Sequence, residues 1–121
     1  MAASHRGIFD IAHLLLQHNA DVNARNELGR TPLHYSSMSG HARVTELLLE
    51  HGAVVNAEEV DRETPLYLAS EPGNLEVVKI LLDHGADVHI RAYATTPFQV
   101  ATGNGHAEIA QLLLEHGAEN E

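Results

Sequence analysis

The sequence contains no cysteine and no tryptophan, and aromatic residues fill only 4% of its 121 positions. Without cysteine the chain can form no disulfide and has no thiolate for metal binding or nucleophilic chemistry. Basic residues are also few: seven lysines and arginines stand against seventeen aspartates and glutamates, which gives a net charge of −10. Since no basic stripe is available to neutralise phosphates, we expect no binding to nucleic acid.

Long hydrophobic runs are absent as well. The longest early run spans residues 11–16, is interrupted by His13 and is preceded by Asp10. A membrane span needs about 20 consecutive apolar residues and a signal peptide needs different flanks, so neither is expected. We therefore expect an intracellular protein, cytoplasmic or nuclear, without a membrane partner. The lack of cysteine agrees with a reducing compartment.

What the sequence does contain is a repeat of about 33 residues. Runs of leucine end in a histidine two residues before an alanine, at spacings of 33, 33 and 32 residues: His18, His51, His84 and His116. A second motif, Thr-Pro followed by Leu or Phe, keeps the same phase and begins at Thr31, Thr64 and Thr96. Two motifs at one fixed period indicate a protein built from stacked repeats.

Each repeat is predicted to hold two short helices and a loop. Thr31 can cap the first helix, and Pro32 fits its first turn without losing a hydrogen bond. Gly40 ends this helix after two turns, a second helix opens at His41, and Gly52 ends the second in a left-handed conformation. Helices this short cannot bury their apolar faces alone, so neighbouring repeats must complete the core.

On these motifs the chain resembles the ankyrin-repeat family over nearly its whole length. The resemblance implies an all-α solenoid of helix-turn-helix pairs joined by finger loops, in a single domain spanning 1–121. The repeats are expected at 1–25 (partial), 26–58, 59–91 and 92–121. Because Gly7 takes the place of Gly40 and the first Thr-Pro-Leu is missing, we expect an array excised from a larger protein. A truncated repeat that caps the N-terminus is the other interpretation.

The resemblance also implies a non-catalytic module that binds another protein on a concave face, made of finger tips and the exposed ends of the first helices. Transferred to this sequence, the face comprises Glu27, Leu28, Arg30, Met38, Ser39, Val60, Asp61, Glu63, Glu71, Ala92, Tyr93, Thr95 and Asn104. Four of these residues are predicted anchors: Leu28, Met38, Val60 and Tyr93. Scattered exposed apolar residues are nevertheless common and need no function. Two other functions stay open: a stand-alone inhibitor of an enzyme, and an engineered scaffold with no natural partner.

Charge along the fingers suggests the chemistry of the partner. The middle finger carries Glu58, Glu59, Asp61 and Glu63 against the single basic residue Arg62. A partner segment that binds there is expected to be basic, and the protein itself is expected to be a monomer. The alternative, that these loops are merely solvated turns, stays open.

Metal and catalytic sites are not expected, and neither is a cofactor. Stacked helices lie about 8–10 Å apart, whereas zinc ligands lie about 2 Å from the ion, so the repeated histidines cannot share one. By resemblance, His34 is structural and bonds near Thr31. Acid pairs such as Glu58 and Glu59 lie on turns that look exposed, where nothing would raise a pKa towards catalytic use, so no enzyme activity is expected.

Departures from the family pattern predict local irregularity. Arg62 and Ala94 stand where the family prefers a turn glycine such as Gly29, so their fingers must bend differently or be strained by a positive φ. The linker from His84 to Thr96 is also one residue short. We therefore expect the third finger to be the least regular part of the stack.

Two further predictions concern single positions. Asn23 lies at the spacing, with Leu15 and Asp21, at which ankyrin asparagines resemble substrates of the cellular asparaginyl hydroxylase, so we predict it as a possible hydroxylation site. The leucines that occupy one equivalent position in successive second helices should be buried between repeats: Leu48, Leu81 and Leu113.

Overall fold

The computed structural model describes residues 20–119 of the chain. Within that range lie six helices and no β-strand: α1 Pro32–Ser39, α2 Ala42–Glu50, α3 Pro65–Ser70, α4 Leu75–Asp83, α5 Pro97–Gly103 and α6 Ala107–Glu115. The predicted all-α class is confirmed. Most of the partial repeat expected at 1–25, with Gly7, Leu15 and His18, lies outside the described residues.

The Thr-Pro pairs stand at the starts of the first helices as predicted. The predicted cap by the Thr31 hydroxyl is wrong, because that hydroxyl lies 3.0 Å from the His34 ring and accepts from no amide of α1, whereas Thr64 and Thr96 do cap their helices. Oγ1 of Thr64 accepts a hydrogen bond from the Tyr67 amide at 3.2 Å, and Oγ1 of Thr96 accepts one from the Gln99 amide at 3.2 Å. The Gln99 side chain in turn accepts from the Thr96 amide at 3.0 Å, which makes a reciprocal capping box. Since proline has no amide hydrogen to lose at the first turn, this start costs no hydrogen bond.

His34 performs the structural role that the resemblance implied. Its Nδ1 accepts a hydrogen bond from the Thr31 amide at 3.0 Å, so Nε2 carries the proton and donates to the Glu63 carbonyl at 3.1 Å. The ring is fully buried, and this burial lowers its pKa. A neutral histidine therefore caps one repeat and ties it to the next.

The three repeated histidines within residues 20–119 end the second helices. In each case ring Nδ1 donates to the carbonyl four residues earlier: His51 to Leu47 at 2.9 Å, His84 to Ile80 at 3.0 Å, and His116 to Leu112 at 2.9 Å. Carbonyls in the last turn of a helix have no partner within it, so each imidazole satisfies one of them. This accounts for the recurrence of histidine without any metal.

The helices pack in two rows that share one core. The first helices α1, α3 and α5 contact one another in order, and the second helices α2, α4 and α6 form the row behind them. The predicted burial of the equivalent leucines is confirmed, with exposed fractions of 4% for Leu48 and 0% for Leu81 and Leu113. Helix α3 has only six residues because Pro72 and Gly73 follow it.

Side-chain amides align one repeat with the next. The Asn74 amide group donates to the carbonyls of Ser37 at 2.8 Å and Met38 at 3.1 Å in the preceding repeat. Asn56 accepts from the Asp87 amide at 2.8 Å in the following repeat.

None of the helices between residues 20 and 119 combines the length and the apolar content that crossing a bilayer requires.

Candidate functional site

Three loops that precede the first helices form the fingers, named here finger 1 (26–30), finger 2 (59–63) and finger 3 (92–95). Each presents an apolar side chain to solvent at its tip. The exposed fractions are 46% for Leu28, 63% for Val60 and 64% for Tyr93. Together with the exposed ends of α1, α3 and α5, these tips make up the finger face.

Fingers 1 and 2 are built in the same way around one side-chain oxygen. Oδ1 of Asn26 accepts from the amides of Leu28 at 3.0 Å and Arg30 at 3.1 Å. At the equivalent position, Oε1 of Glu59 accepts from the amides of Asp61 at 2.7 Å and Glu63 at 3.0 Å. The prediction that Glu59 lies on an exposed turn is wrong, because this bonding draws the side chain inward and leaves it 1% exposed.

The contact between fingers 1 and 2, the 1/2 junction, is tied by backbone groups. The Val60 amide donates to the Leu28 carbonyl at 3.0 Å. Nη1 of Arg25 donates to the carbonyls of Gly29 at 2.7 Å and Glu58 at 2.9 Å. One guanidinium therefore holds both loops at once.

A second arginine neutralises the acids at this junction. The Arg30 guanidinium lies 3.6 Å from a carboxylate oxygen of Glu59 and 3.7 Å from one of Glu63. It also lies over the Tyr35 ring at 5.7 Å from the ring centre, a cation–π distance. The chain thus supplies its own cation to the buried carboxylates.

Glu63 is a buried acid with a shifted pKa. Burial raises its pKa, and the charges of Glu59, Glu71 and Asp61 raise it further, while Arg30 lowers it. Only 7% of the residue is exposed, so the prediction of Glu63 as a partner contact is wrong. The expectation that no acid of these turns has a raised pKa is wrong for the same residue.

The contact between fingers 2 and 3, the 2/3 junction, involves side chains. A hydrogen bond between the Tyr93 hydroxyl and the Asp61 side chain raises the pKa of Tyr93 to about 12. The Tyr93 ring also packs on Tyr67, with 6.4 Å between ring centres and a 55° angle between planes. An exposed aromatic ring is thereby held in place at the surface.

Of the two alternatives expected at the positions without glycine, a different bend or a strained positive φ, the backbone shows the positive φ. Arg62 has φ of 67° and Ala94 has φ of 60°, where Gly29 has 75°. Tyr93, beside Ala94, also has a positive φ of 54°. Left-handed geometry costs a non-glycine residue about 1–2 kcal/mol, so fingers 2 and 3 hold strain that finger 1 does not.

Finger 3 is the irregular finger, as predicted. It is a two-residue turn in which the amide and carbonyl of Ala92 bond to the carbonyl and amide of Thr95 at 3.0 and 2.8 Å. Two successive positive φ values are typical of a tight hairpin turn. Ala92 is 1% exposed, so its prediction as a partner contact is wrong as well.

The remaining predicted contacts differ in exposure. The exposed ones are Glu27, Leu28, Ser39, Val60, Asp61, Glu71, Tyr93 and Asn104. The partly exposed ones are Arg30, Met38 and Thr95. The sequence interpretation missed Tyr35, which is 39% exposed beside Arg30. Tyr35 lies between His34 and Ser36, which face the core of the stack, so the helical period could have predicted that its side chain is exposed.

Asn104 and Glu71 are linked through the backbone. The Asn104 side chain donates to the Glu71 carbonyl at 2.9 Å, and the His106 ring donates to the same oxygen at 3.0 Å. Two donors from the following repeat therefore fix the Glu71 backbone, while the side chain stays exposed.

Three carboxylates of finger 2 lie close enough to hold a cation. Oxygens of Glu59, Asp61 and Glu63 lie within 4.8 Å of one another. Carboxylate oxygens suit calcium or magnesium in general. Here, however, Glu59 already serves two backbone amides, and Arg30 lies against both buried acids. The arrangement is that of an internal ion pair.

Asn23 is held between two repeats. Its side chain donates to the Gly52 carbonyl at 3.1 Å and accepts from the Val54 amide at 2.9 Å. An enzyme that modifies this asparagine would have to break both bonds. Hydroxylation of Asn23 stays a prediction, which the intact mass of protein produced together with the hydroxylase would test by the gain of one oxygen.

Comparison with known proteins agrees with this architecture. A family model described as ankyrin repeats (3 copies) matches residues 1–92 and again residues 56–121. No curated protein is significantly similar to the chain.

Proposed function

This chain belongs to the ankyrin-repeat family, and we propose that it is a monomeric, non-catalytic module whose finger face binds a basic segment of another protein. Ankyrin repeats are generally protein-interaction modules, and the family is typically non-catalytic. The stacked helices hold the fingers in fixed register. The side chains on the fingers then determine which protein binds.

The observation that carries the proposal is the set of apolar finger tips. Leu28, Val60 and Tyr93 are each between 46% and 64% exposed although they occupy successive fingers of a well-packed stack. Burial in an interface would remove this apolar surface from water, at about 25 cal/mol per Å². Aromatic and aliphatic anchors of this kind supply much of the energy in protein interfaces.

The basic character of the partner is inferred from charge. The chain carries −10 overall, and three exposed acids belong to the finger face: Glu27, Asp61 and Glu71. Opposite charge on the partner would speed encounter and set orientation, and added salt would screen the effect. Affinity for the natural partner should therefore fall as ionic strength rises.

The proposal is tested by capture from the source lysate with the full chain as bait. The test bait carries Leu28→Ser and Val60→Ser on the finger face. The control bait carries Val54→Ser, since Val54 is equally apolar and 52% exposed but lies outside the fingers. A protein retained by the wild type and the control bait but lost from the finger bait is the expected result. Equal retention by all three baits would contradict the proposal.

A further inference from the structure

Among the histidines between residues 20 and 119, His34 alone is buried, with an exposed fraction of 0%. Its Nδ1 accepts from the Thr31 amide at 3.0 Å, and its Nε2 donates to the Glu63 carbonyl at 3.1 Å. Thr31 directly follows finger 1 at the start of α1, and Glu63 is the last residue of finger 2. One neutral ring therefore joins the base of finger 1 to the base of finger 2.

A proton added to this ring must go to Nδ1, because Nε2 already carries one. Nδ1 then stops accepting from the Thr31 amide, which loses its acceptor although Thr31 is only 2% exposed. The Thr31 hydroxyl, 3.0 Å from Nδ1, can accept the new N–H, but the amide stays unsatisfied. An unsatisfied buried amide and a charge in the core both cost free energy, so protonation of the ring opposes the closed junction.

The charged groups near the ring do not offset this cost. Burial lowers the pKa of His34, and it outweighs the charge of Glu59, which acts in the opposite direction, while Arg25 lowers the pKa further. Glu59 is already engaged, since its Oε1 accepts from two backbone amides and its Oε2 lies 3.6 Å from Arg30.

The helices packed against α1 supply no buried counter-charge. Tyr67 of α3 stays neutral, because burial raises its pKa, and His41, which precedes α2, is partly exposed. The other ionisable residues on or directly beside α2 and α3 are exposed: Arg43, Glu46, Glu50, His51 and Glu71.

The equivalent positions of the next two repeats carry no histidine. Tyr67 and Gln99 stand there, three residues after Thr64 and Thr96. Oε1 of Gln99 accepts from the Thr96 amide at 3.0 Å, so an uncharged amide side chain makes the same cap in this stack. Protonation of a capping ring can therefore act at the 1/2 junction and at neither of the other two caps.

We propose that His34 is an acid-sensitive link at the 1/2 junction, whose protonation releases finger 1 and α1 from finger 2 while residues 64–119 stay folded. The release itself needs no partner. Its effect on binding rests on the proposed function: finger 1 carries the exposed Leu28, so acid would remove one apolar tip from the finger face.

The test compares the wild type with His34→Gln. Glutamine can accept from the Thr31 amide and donate to the Glu63 carbonyl, as Gln99 does for its own cap, but it does not titrate. Amide hydrogen exchange is measured residue by residue at steps from pH 7 to pH 4.5, and each wild-type rate is divided by the rate of the variant at the same pH. This ratio cancels the direct effect of pH on exchange and the titration of groups that both proteins share.

For the amides of finger 1 and α1, the ratio should rise about tenfold for each pH unit below 6.5, until the pH reaches the lowered pKa of the closed state. For the amides of residues 64–119 it should keep its pH 7 value. A ratio that is independent of pH at finger 1 would overturn the link. An equal rise at all the helices would overturn it as well, because protonation would then unfold the whole stack.

A second measurement on the wild type does not depend on the folding of the variant. Nitrogen-15 shifts of the His34 ring should show a proton on Nε2 alone at pH 7, and the ring should become charged only as the shifts of the finger 1 amides change. A ring that takes up its proton while the finger 1 amides keep their shifts would overturn the link. Since no partner is present in either experiment, such a result would leave the proposed function untouched.

Discussion

The two finger junctions use different chemistry for the same contact. At the 1/2 junction, a backbone hydrogen bond joins Val60 to Leu28, and Arg30 neutralises the buried acids. At the 2/3 junction, the Tyr93 ring packs on Tyr67 of α3, and a hydrogen bond to the exposed Asp61 raises the pKa of Tyr93. The first junction is held by backbone groups and buried charges, whereas the second is held by side chains at the surface.

Backbone strain distinguishes finger 1 from fingers 2 and 3. Finger 1 turns through Gly29, for which a positive φ costs little, whereas Tyr93 and Ala94 hold positive φ in finger 3. Strain of this kind persists only where the surrounding structure maintains it. The structurally irregular finger is thus also the one that presents the most exposed aromatic ring.

The largest effect is expected in the core that both junctions share. Leu81 is 0% exposed between its neighbouring repeats, so Leu81→Ala should lower the free energy of unfolding by about 2–5 kcal/mol. Leu28→Ala, at a 46% exposed tip, should cost less than about 1 kcal/mol. Urea titration of both variants measures the difference. A loss below about 1 kcal/mol for Leu81→Ala would show that the stack is misassigned.

The next largest effect should separate the two junctions. Glu59→Ala leaves the amides of Asp61 and Glu63 without their acceptor and takes one carboxylate from Arg30, at a cost of about 2–4 kcal/mol. Asp61→Ala truncates an exposed side chain that accepts from neither of these amides, so it should leave stability close to that of the wild type. Thermal or urea unfolding of the two variants measures the difference. Equal losses of stability from Glu59→Ala and Asp61→Ala would contradict the distinction between the junctions.

Exchanging glycine and alanine between fingers 1 and 3 should change stability in opposite directions. Gly29→Ala forces a side chain onto a φ of 75° and should cost about 1 kcal/mol. Ala94→Gly relieves strain at a φ of 60° and should gain about 0.5 kcal/mol, the remainder being offset by the flexibility of glycine in the unfolded chain. The urea midpoints of the two variants should fall on either side of the wild type, and a shift in the same direction for both would contradict the assignment of strain.

The smallest effect concerns pH and Glu63, which pairs with Arg30 at the 1/2 junction. Its pKa is raised above 4.5, so as pH falls the native state takes up this proton before the unfolded state does. The free energy of unfolding therefore gains a contribution as pH falls from the raised pKa towards 4.5. Glu63→Gln removes that contribution, so the difference in stability between wild type and variant should grow in favour of the wild type on acidification.

His34 acts in the opposite direction and is present in both proteins of that comparison. Its pKa is lowered from 6.5, so the unfolded state takes up the proton first and stability falls as pH drops below 6.5. Subtracting one urea series from the other cancels this contribution. A constant difference between pH 7 and pH 4.5 would show that Glu63 titrates alike in both states.

The sequence period predicted the helices because capping and turn chemistry are local. Thr64 and Pro65 begin α3 whatever surrounds them, and alignment of Arg62 with Gly29 was enough to predict the positive φ. The role of Glu59 could also have been predicted, since it aligns with Asn26. The side chains of both residues accept hydrogen bonds from the amides two and four positions later. The acidic composition of finger 2 obscured that equivalence.

The 2/3 junction could not be predicted in the same way. The bond between Tyr93 and Asp61 depends on the path of finger 3, and the missing residue before Thr96 takes that finger out of the common period. The pairing of Arg30 with Glu59 and Glu63 joins separate repeats through long side chains. Contacts of this kind depend on the distance between loops, which no local pattern specifies.

The central claim, that the finger face is where a partner binds, is tested most directly by photocrosslinking in the source lysate. A benzoylphenylalanine is placed at Val60 in one protein and at Val54 in another, since both residues are exposed valines, at 63% and 52%. We predict a covalent adduct with a protein partner from position 60, weakened by salt, and none from position 54. Equal adducts from both positions, or adducts from position 54 alone, would contradict the account.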